Sequence, residues 1–223
     1  MQKIVEVELK YEVLDKKQLQ NFVRGLSFIE VKSIHDVYFD TKEGELYQRG
    51  IFIRLRNGKY FDFKFNEVEV DLNKYSEHGH CNEHSFDLPF DKSEIHYIND
   101  LALMLRLKPI TKTSIAEFMK KNNLIQSVVI QKIRKIYKDA QYEFSLDEAE
   151  GLGTYLEIEA HALPHDDVGH IKTHMKKRLS SLRLKLITTG YNELYWRKHN
   201  FNLYLKGRYL LEEDYKKYRP GQM

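Results

Sequence analysis

The chain has 223 residues, of which 42% are hydrophobic and 13% aromatic, so it has enough apolar side chains for a folded core and is not a disordered segment. Its 36 basic and 33 acidic side chains leave a formal net charge of +3, without the global field that nucleic-acid-binding proteins usually carry. The only cysteine, Cys81, excludes an intrachain disulfide and an all-cysteine metal site, and it favours a reducing compartment, the cytoplasm.

The N-terminal residues run from Met1 directly into a charged, alternating segment, so we expect no export signal. The most apolar short run, residues 101–107, is interrupted by Arg106. It is far shorter than the roughly 20 residues that a membrane-spanning helix needs. We therefore expect no membrane segment.

Residues 5–13 alternate between apolar odd positions and charged even positions, which are Glu6, Glu8, Lys10 and Glu12. A period of two predicts a β-strand with one charged face. Residues 15–26 have apolar side chains at helical spacing, which predicts an amphipathic helix that begins at an Asp15 cap and ends near Gly25. A second strand is expected over residues 34–39.

Residues 51–65 predict a β-hairpin. Arg54 and Arg56 alternate with aliphatic side chains before an Asn-Gly turn signal at residues 57–58, and Lys64 lies among alternating phenylalanines after it. Residues 66–92 are polar and predict a loop with one strand near residues 82–86. Residues 93–107 and 112–122 predict helices.

A second β-rich half begins near residue 128. Lys132 and Arg134 share one face of its first strand, Asp147 lies on the next, and Glu157 and Glu159 share one face of a further strand after a Gly-Leu-Gly turn. The pattern of the first half therefore recurs. Residues 166–186 predict an amphipathic helix, and the basic, aromatic residues after 191 predict a C-terminal helix or helical pair.

One face of each predicted strand carries charges of two chemical kinds. The cations match phosphate oxygens, and the carboxylates match a hard divalent cation such as Mg²⁺ or Mn²⁺. A charged strand face is often only a solvated outer surface. Here the opposite faces are strongly apolar and several amphipathic helices are available to cover them, so we expect the charged faces to point inward. A metal-bound polyphosphate would satisfy both sets of charges.

Six motifs, in register over residues 3–195, resemble those of the CYTH superfamily, the triphosphate tunnel enzymes. They are E-x-E-x-K at residues 6–10, a Y-[FL]-D segment within residues 35–40, R-x-R at residues 54–56, a tunnel lysine at Lys64, K-x-R at residues 132–134, and Asp, Gly-Leu-Gly and Glu-x-Glu in succession over residues 147–159. The sequence departs from the family at Cys81, where an arginine is frequent, and residues 66–82 are longer than a tight hairpin.

The resemblance implies an α+β fold with a closed antiparallel β-barrel of about eight strands, a charged tunnel, and helices packed on the outside. It implies a CYTH-like domain over residues 1–195. Residues 196–223 would then be a basic, aromatic extension that is helical and packs on the barrel.

The resemblance also implies roles for individual residues. The catalytic set would be Glu6, Glu8 and Lys10. Triphosphate oxygens would be bound by Lys10, Arg54, Arg56, Lys64, Lys132 and Arg134. The cofactor, Mg²⁺ or Mn²⁺, would be held by Glu6, Glu8, Asp147, Glu157 and Glu159. Less closely matched candidates are Tyr38, Asp40 and Glu83.

Three functions fit these features. The first is a metal-dependent hydrolase that releases orthophosphate from tripolyphosphate, a nucleoside triphosphate or thiamine triphosphate, because both charge sets address only the phosphate chain. The second is an adenylate cyclase that makes cyclic AMP and pyrophosphate from ATP. The third is a noncatalytic sensor of polyphosphate or nucleotide, which the departure at Cys81 favours and the retained E-x-E-x-K motif opposes. A homodimer is left open.

Other signals are weaker. A zinc group of His78, His80, Cys81 and His84 has a spacing that fits no standard structural site, and a polar loop explains it more simply. His170 and His174 lie four apart on a predicted helix, where solvent exposure accounts for them. The tail over residues 197–219 would suit RNA contact, but a packed helix with a solvated face explains its charges better.

Overall fold

The structure, a computed structural model, describes residues 5–67, 81–163 and 165–219. The strands of this part of the chain are β1 (Val5–Val13), β2 (Ser27–Asp40), β3 (Phe52–Arg56), β4 (Tyr60–Phe65), β5 (Asn82–Asp87), β6 (Ile125–Lys138), β7 (Glu143–Ala149), β8 (Gly153–Ala162) and β9 (Leu184–Ile187). The helices are α1 (Lys16–Val23), α2 (Glu45–Gln48), α3 (Lys92–Met104), α4 (Ile115–Lys121), α5 (Val168–Arg178), α6 (Tyr191–His199), α7 (Phe201–Tyr204) and α8 (Glu212–Tyr218).

The strands form a large antiparallel sheet in the order β5-β4-β3-β2-β6-β7-β8-β1-β9, so the chain has the predicted α+β fold. Over the described residues this order is open, because β5 and β9 lie at its two ends and do not pair with each other. The predicted closed barrel is therefore not confirmed. The chain divides into two compact units, which are residues 1–34 with 131–187 (unit 1) and residues 35–130 with 188–223 (unit 2).

In unit 1, the apolar face of β1, β7 and β8 packs against α1 and α5. Asp15 caps α1 as predicted, since its Oδ1 accepts hydrogen bonds from the backbone N–H groups of Lys17 at 3.0 Å and Gln18 at 3.1 Å. Leu19 of α1 and Met175 of α5 are buried in the resulting core. Because one face of these strands is covered in this way, the charged side chains of the same strands lie together on the other face.

In unit 2, the apolar face of β3, β4 and β5 packs against α3 and α4. Phe61 and Phe63 are fully buried, and both make edge-on contacts with Phe118 of α4 at centroid distances of 5.5 Å. The predicted hairpin is confirmed, with Phe52 opposite Lys64 and Arg54 opposite Asp62. The charged residues of the hairpin therefore lie on the face away from this core.

The C-terminal helices belong to unit 2. The indole of Trp196 lies 6.2 Å from the ring of Tyr47, and the ring of Tyr209 lies 6.3 Å from that of Phe52. Tyr204 is fully buried. The described residues 197–219 therefore include the end of α6 and all of α7 and α8, and they pack within unit 2. The boundary predicted at residue 195 falls inside α6 and stays a prediction.

Two predicted elements differ most from the structure in their bounds. The helix expected over residues 166–186 ends at Arg178, and residues 184–187 form β9, which pairs with β1. The second strand begins at Ser27, seven positions before the expected residue 34. Both differences come from strand pairing between distant segments, which a local pattern does not contain. None of the helices in residues 5–67, 81–163 and 165–219 has the length and apolar character needed to cross a membrane.

Candidate functional site

The residues that the sequence predicted for the site fall into two groups, one in each unit. The unit 1 cluster contains Glu6, Glu8, Lys10, Lys132, Arg134, Asp147, Glu157 and Glu159. The unit 2 group contains Tyr38, Asp40, Arg54, Arg56, Lys64 and Glu83. The opposite face of β1, β7 and β8 in unit 1, and of β3, β4 and β5 in unit 2, packs into an apolar core, whereas the opposite face of β6 carries the exposed residues Gln131 and Ile133.

Strand register brings the E-x-E-x-K motif of β1 against the E-x-E motif of β8. Glu8 lies directly opposite Glu159, and Lys10 lies directly opposite Glu157. Residues directly opposite in an antiparallel pair have Cβ atoms about 4.5–5.5 Å apart, so each pair shares a face and lies within reach. Lys10 Nζ lies 3.0 Å from Glu157 Oε1 and 3.8 Å from Glu8 Oε1. The two motifs therefore form one contiguous charged surface.

Asp147 is the centre of an ion-pair network on β6, β7 and β8. It is fully buried and accepts from Lys132 Nζ at 2.6 Å, and from Arg134 Nε at 2.7 Å and Nη2 at 2.6 Å. Arg134 Nη2 also donates to Glu157. Such fork-like, charge-assisted bonds fix the plane of the guanidinium. In this structure Asp147 and Glu157 orient cations, and their predicted role as metal ligands stays a prediction.

The same network sets the protonation of its members. Burial opposes ionisation of Glu157, but Lys10 and Arg134 outweigh it and lower the pKa of Glu157 to about 2. Burial would likewise lower the pKa of Lys10, but Glu157 and Glu8 hold it above its ordinary value. For Lys132, burial and the charge of Arg134 lower the pKa to about 8 against the opposing effect of Asp147. Lys132 is therefore the cation of this cluster that titrates nearest to neutrality.

A row of three carboxylates crosses the neighbouring strands β7, β8 and β1. Glu143 and Glu8 both lie directly opposite Glu159, one on each side. Burial together with the charges of Glu6 and Glu143 raises the pKa of Glu159 to about 6. Sequence reasoning did not include Glu143, although its alternation with Asp147 on β7 placed the two side chains on one face.

The carboxylate row has donor chemistry that suits a hard divalent cation, and its mutual repulsion would be relieved by one. Within the part of the chain that the structure describes, no three His, Cys, Asp or Glu side chains converge closely enough to hold a metal ion by themselves. Mg²⁺ is often held in this partial way, by one or two carboxylates with substrate phosphates and water completing its coordination. The unit 1 carboxylates fit that mode of binding.

In unit 2, Arg54 is buried among three carboxylates. Its Nε donates to Asp62 Oδ2 at 2.8 Å, its Nη2 lies 2.6 Å from the same oxygen and donates to Glu83 Oε1 at 2.7 Å, and its Nη1 lies 3.7 Å from Asp36 Oδ2. Ser85 Oγ donates to the other oxygen of Asp62 at 2.6 Å. These contacts hold the guanidinium of Arg54 in one orientation.

Arg56 is held by a two-point contact. Its Nε and Nη2 donate to Asp36 Oδ1 at 2.8 Å and Oδ2 at 2.9 Å, and the two residues lie directly opposite on β3 and β2. Lys64 Nζ lies 3.8 Å from Glu83 Oε2. Burial would raise the pKa of Glu83, but Arg54 and Lys64 hold it below its ordinary value. We call Asp36, Arg54, Arg56, Asp62, Lys64, Glu83 and Ser85 the unit 2 cluster.

Of the two remaining candidates, Tyr38 adjoins the unit 2 cluster and Asp40 has a structural contact. Tyr38 lies directly opposite Arg54, and burial raises the pKa of its hydroxyl to about 12 although Arg54 opposes the shift. Asp40 accepts from the backbone N–H groups of Leu46 at 2.9 Å and Tyr47 at 2.8 Å, which holds the start of α2. A ligand role for either residue stays a prediction.

Sequence reasoning missed Asp36, Asp62 and Ser85. The sequence does indicate that two of these residues face the site, because Asp62 lies two positions before Lys64 and Asp36 lies two positions before Tyr38, each on the same strand face as its neighbour. Their importance depends on cross-strand register, which local alternation does not supply.

Two histidine groups were considered as metal sites from the sequence. His78 and His80 lie outside the described residues, and His84 contacts Glu67 and Tyr97. His170 and His174 are exposed on α5, with their rings 4.5 Å apart.

Comparison with known proteins places this arrangement in a family. The sequence profile of the CYTH domain matches residues 5–191, which is most of the chain and includes every predicted site residue. The chain therefore belongs to the CYTH domain family, whose enzymes are triphosphatases or cyclases.

Individual relatives are more distant. The chain is 26% identical over 196 residues to the protein named "Putative adenylate cyclase MJ0240" from Methanocaldococcus jannaschii. The alignment covers 86% of this chain and 98% of that relative. Among solved structures, HpAC1 from Hippeastrum, reported with a dominant triphosphatase activity, is 17% identical at a TM-score of 0.58 over 89% of this chain and 99% of that one. The PH1819 protein from Pyrococcus horikoshii is 20% identical at a TM-score of 0.56, over 87% and 99%. These two structures support the fold alone.

Proposed function

We propose that the protein is a metal-dependent triphosphate phosphohydrolase, which releases orthophosphate from tripolyphosphate, a nucleoside triphosphate or thiamine triphosphate. The observation that carries the proposal is the unit 1 cluster, where crowded carboxylates around Glu159 lie beside the fixed cations Lys10 and Arg134. A metal-bound phosphate chain is a ligand that matches both halves of such a surface.

The carboxylates Glu6, Glu8 and Glu159 would hold Mg²⁺ or Mn²⁺ together with oxygens of the substrate. When bound, the metal would supply charge neutralisation on the phosphate chain and a lowered pKa for a coordinated water. Relief of the repulsion around Glu159 favours this assignment, because the pKa of its carboxyl group is raised by Glu6 and Glu143 as well as by burial.

The cations of unit 1 bind phosphate oxygens in this proposal. Lys10, Lys132 and Arg134 keep their orientation because Asp147 and Glu157 accept hydrogen bonds from them. A cation that is already oriented loses little entropy and needs little reorganisation when negative charge develops on a transferring phosphoryl group. Asp147 and Glu157 would thus position these donors without touching the substrate.

The cations of unit 2, Arg54, Arg56 and Lys64, are also assigned to phosphate binding. Arg54 and Arg56 are each held by an aspartate through their Nε and Nη2 atoms. This leaves guanidinium N–H groups that can donate to a phosphate oxygen, since an arginine has five donors.

The proposed reaction is attack of water on the terminal phosphorus. A carboxylate of the unit 1 cluster orients the water and accepts its proton, the new phosphorus–oxygen bond forms, and the bond to the bridging oxygen breaks, with the electron pair leaving on the diphosphate. The products are orthophosphate and the diphosphate of the remaining group.

Adenylate cyclase is the second candidate, favoured by the name of the Methanocaldococcus jannaschii relative. In that reaction the ribose 3′-oxygen attacks the α-phosphorus of ATP and pyrophosphate leaves. It needs an adenosine held in one orientation, whereas both clusters contain only groups that address phosphate and metal. This difference is the reason for placing hydrolysis first.

The deciding experiment incubates pure protein with Mg²⁺ or Mn²⁺ and each of tripolyphosphate, ATP and thiamine triphosphate, and separates the products by chromatography. Hydrolysis predicts orthophosphate, with no cyclic nucleotide from ATP. Cyclic AMP with pyrophosphate would establish the cyclase instead. Metal-dependent binding without any product would reject both enzymes and favour a sensor.

A further inference from the structure

Glu83 has an unusual position in the unit 2 cluster, because it contacts two of the cations assigned to phosphate. Its Oε1 accepts from Arg54 Nη2 at 2.7 Å, and its Oε2 lies 3.8 Å from Lys64 Nζ. Glu83 belongs to β5, which is the end strand in the order of the sheet, and its side chain is 37% exposed. It is therefore the carboxylate of this cluster with the greatest access to solvent.

Arg54 does not depend on Glu83 for its orientation. Asp62 and Asp36, with side chains 1% and 3% exposed, remain against Arg54, and Asp62 alone contacts both Nε and Nη2. Nη2 has two hydrogens, and the contact with Glu83 is its second one. If Glu83 moved away, Arg54 would stay fixed and would gain one free N–H donor on the solvent-accessible side.

A phosphate oxygen and a carboxylate oxygen make the same kind of charge-assisted bond to Arg and Lys. The three cations of this cluster, Arg54, Arg56 and Lys64, are balanced by Asp36, Asp62 and Glu83, so three positive and three negative charges cancel. Loss of Glu83 from the cluster would leave a net charge of +1 where an anion is expected to bind.

We infer that Glu83 is a displaceable counter-ion that occupies a phosphate position in the ligand-free protein. A phosphate oxygen of the triphosphate takes its place on Arg54 and Lys64, while Asp36 and Asp62 keep the arginines oriented. This inference rests on the proposed function, in which the unit 2 cations bind phosphate. It gives Glu83 a role opposite to that of a metal ligand, because Glu83 would weaken substrate binding.

The test is the affinity of Glu83→Gln for tripolyphosphate, measured by isothermal titration calorimetry in EDTA and again in Mg²⁺. The matched control is Asp87→Asn, which removes an exposed carboxylate from the same face of the same strand, opposite Tyr60 and not Lys64. We expect Glu83→Gln to bind about 3- to 10-fold more tightly than wild type in both buffers, the size expected for removal of a competing, half-exposed ion pair. Asp87→Asn should bind within about twofold of wild type.

Three outcomes would overturn the inference. The first is Glu83→Gln affinity equal to that of wild type, the second is an equal gain in Asp87→Asn, and the third is a loss of affinity for Glu83→Gln. A loss that appears only in Mg²⁺ would identify Glu83 as a metal ligand instead.

Failure of the inference and failure of the proposed function are distinguishable. If Glu83→Gln binds more tightly as expected but the wild type makes no orthophosphate from any triphosphate, the proposed hydrolase activity is rejected and the counter-ion role of Glu83 is supported. If the wild type hydrolyses triphosphate and Glu83→Gln gains no affinity, the hydrolase activity is supported and the counter-ion role of Glu83 is rejected.

Discussion

At the scale of the residue, position on a strand decides what a carboxylate does. Asp147 and Glu159 lie on the same sheet face of unit 1, but Asp147 lies against Lys132 and Arg134 whereas Glu159 lies between Glu8 and Glu143. The first carboxylate is neutralised within the protein. The second is crowded by like charges, which makes it the better candidate to meet an external cation.

The first prediction concerns Glu6, the exposed first residue of the E-x-E-x-K motif. We expect Glu6→Gln to lower turnover of the preferred triphosphate by about 100-fold or more, the usual cost of losing one preorganised group that stabilises developing charge. The unfolding midpoint should change little, because one repelling charge has been removed. Steady-state assays and thermal unfolding measure the two effects.

Glu12→Gln is the matched control for Glu6, since it removes the last carboxylate of the same face of β1, opposite Lys185 and away from Glu159. It should keep turnover within about threefold of wild type. Full activity in Glu6→Gln would reject the metal assignment.

The second prediction concerns the pH dependence of stability in EDTA. The pKa of Glu159 is about 6 in the folded protein, above its ordinary value of 4.5, so the folded state holds this proton more tightly than the unfolded state does. Its contribution to stability is therefore complete below pH 4.5 and is lost as the pH rises through 6. Glu159→Gln avoids that loss and should be more stable than wild type at pH 8 by about 1 kcal/mol, after allowance for solvent screening.

Thermal unfolding of both proteins at pH 4 and pH 8 checks this prediction. The two midpoints should coincide more closely at pH 4, where Glu159 is protonated in both states. A wild type that is more stable than Glu159→Gln at pH 8 in EDTA would contradict the repulsion argued for this carboxylate.

At the scale of the element, antiparallel register converts local alternation into an ion-pair network. Arg134 on β6 lies directly opposite Asp147 on β7, and Ser145 of β7 lies directly opposite Glu157 on β8. Shifting β7 or β8 by one residue would turn its charges onto the apolar core side, and shifting β6 by one residue would separate Lys132 and Arg134 from Asp147. The buried charges of unit 1 therefore depend on correct pairing of three strands.

The third prediction follows from that dependence. Asp147→Asn removes the charge that neutralises Lys132 and Arg134 in a fully buried position, so it should lower the free energy of unfolding by about 3 kcal/mol or more. Glu148→Gln changes the next residue, whose side chain is exposed, so it loses only a surface pair with Lys135 and should cost less than about 1 kcal/mol. Denaturant unfolding compares the two, and equal costs would contradict the network.

At the scale of the whole molecule, the two units are built in the same way. Each has strands with one face against an apolar core under helices and one face bearing cations and carboxylates. Each unit is made from two separate stretches of sequence, and unit 2 includes the C-terminal helices. Residues beyond the profile match, which ends at 191, are therefore part of a compact unit.

The fourth prediction is that a chain ending at residue 195 does not fold stably. It lacks Trp196 and Tyr209, which pack in unit 2 with Tyr47 and Phe52, and Tyr204, which packs with Leu210 and Tyr215. Burial of a large aromatic side chain stabilises the folded state by about 1.5–3 kcal/mol. The loss of three such side chains therefore removes a large part of the stability of a typical domain. Solubility, dye binding to exposed apolar surface and the unfolding midpoint measure the effect. A soluble truncated chain with the midpoint of the full chain would refute it.

The sequence by itself determined which side chains share a strand face, the cap of α1, the hairpin of β3 and β4, and the family. These features are local, since alternation, capping and turn signals depend only on near neighbours in the chain. Only the tertiary structure decided that β9 interrupts a predicted helix, that the sheet order is open over the described residues, that Asp36 and Asp62 join the unit 2 cluster, and that Glu143 lies opposite Glu159. It also decided which carboxylates neutralise cations and which are left crowded. The physical reason is that these outcomes depend on register between strands far apart in sequence, which local periodicity does not encode.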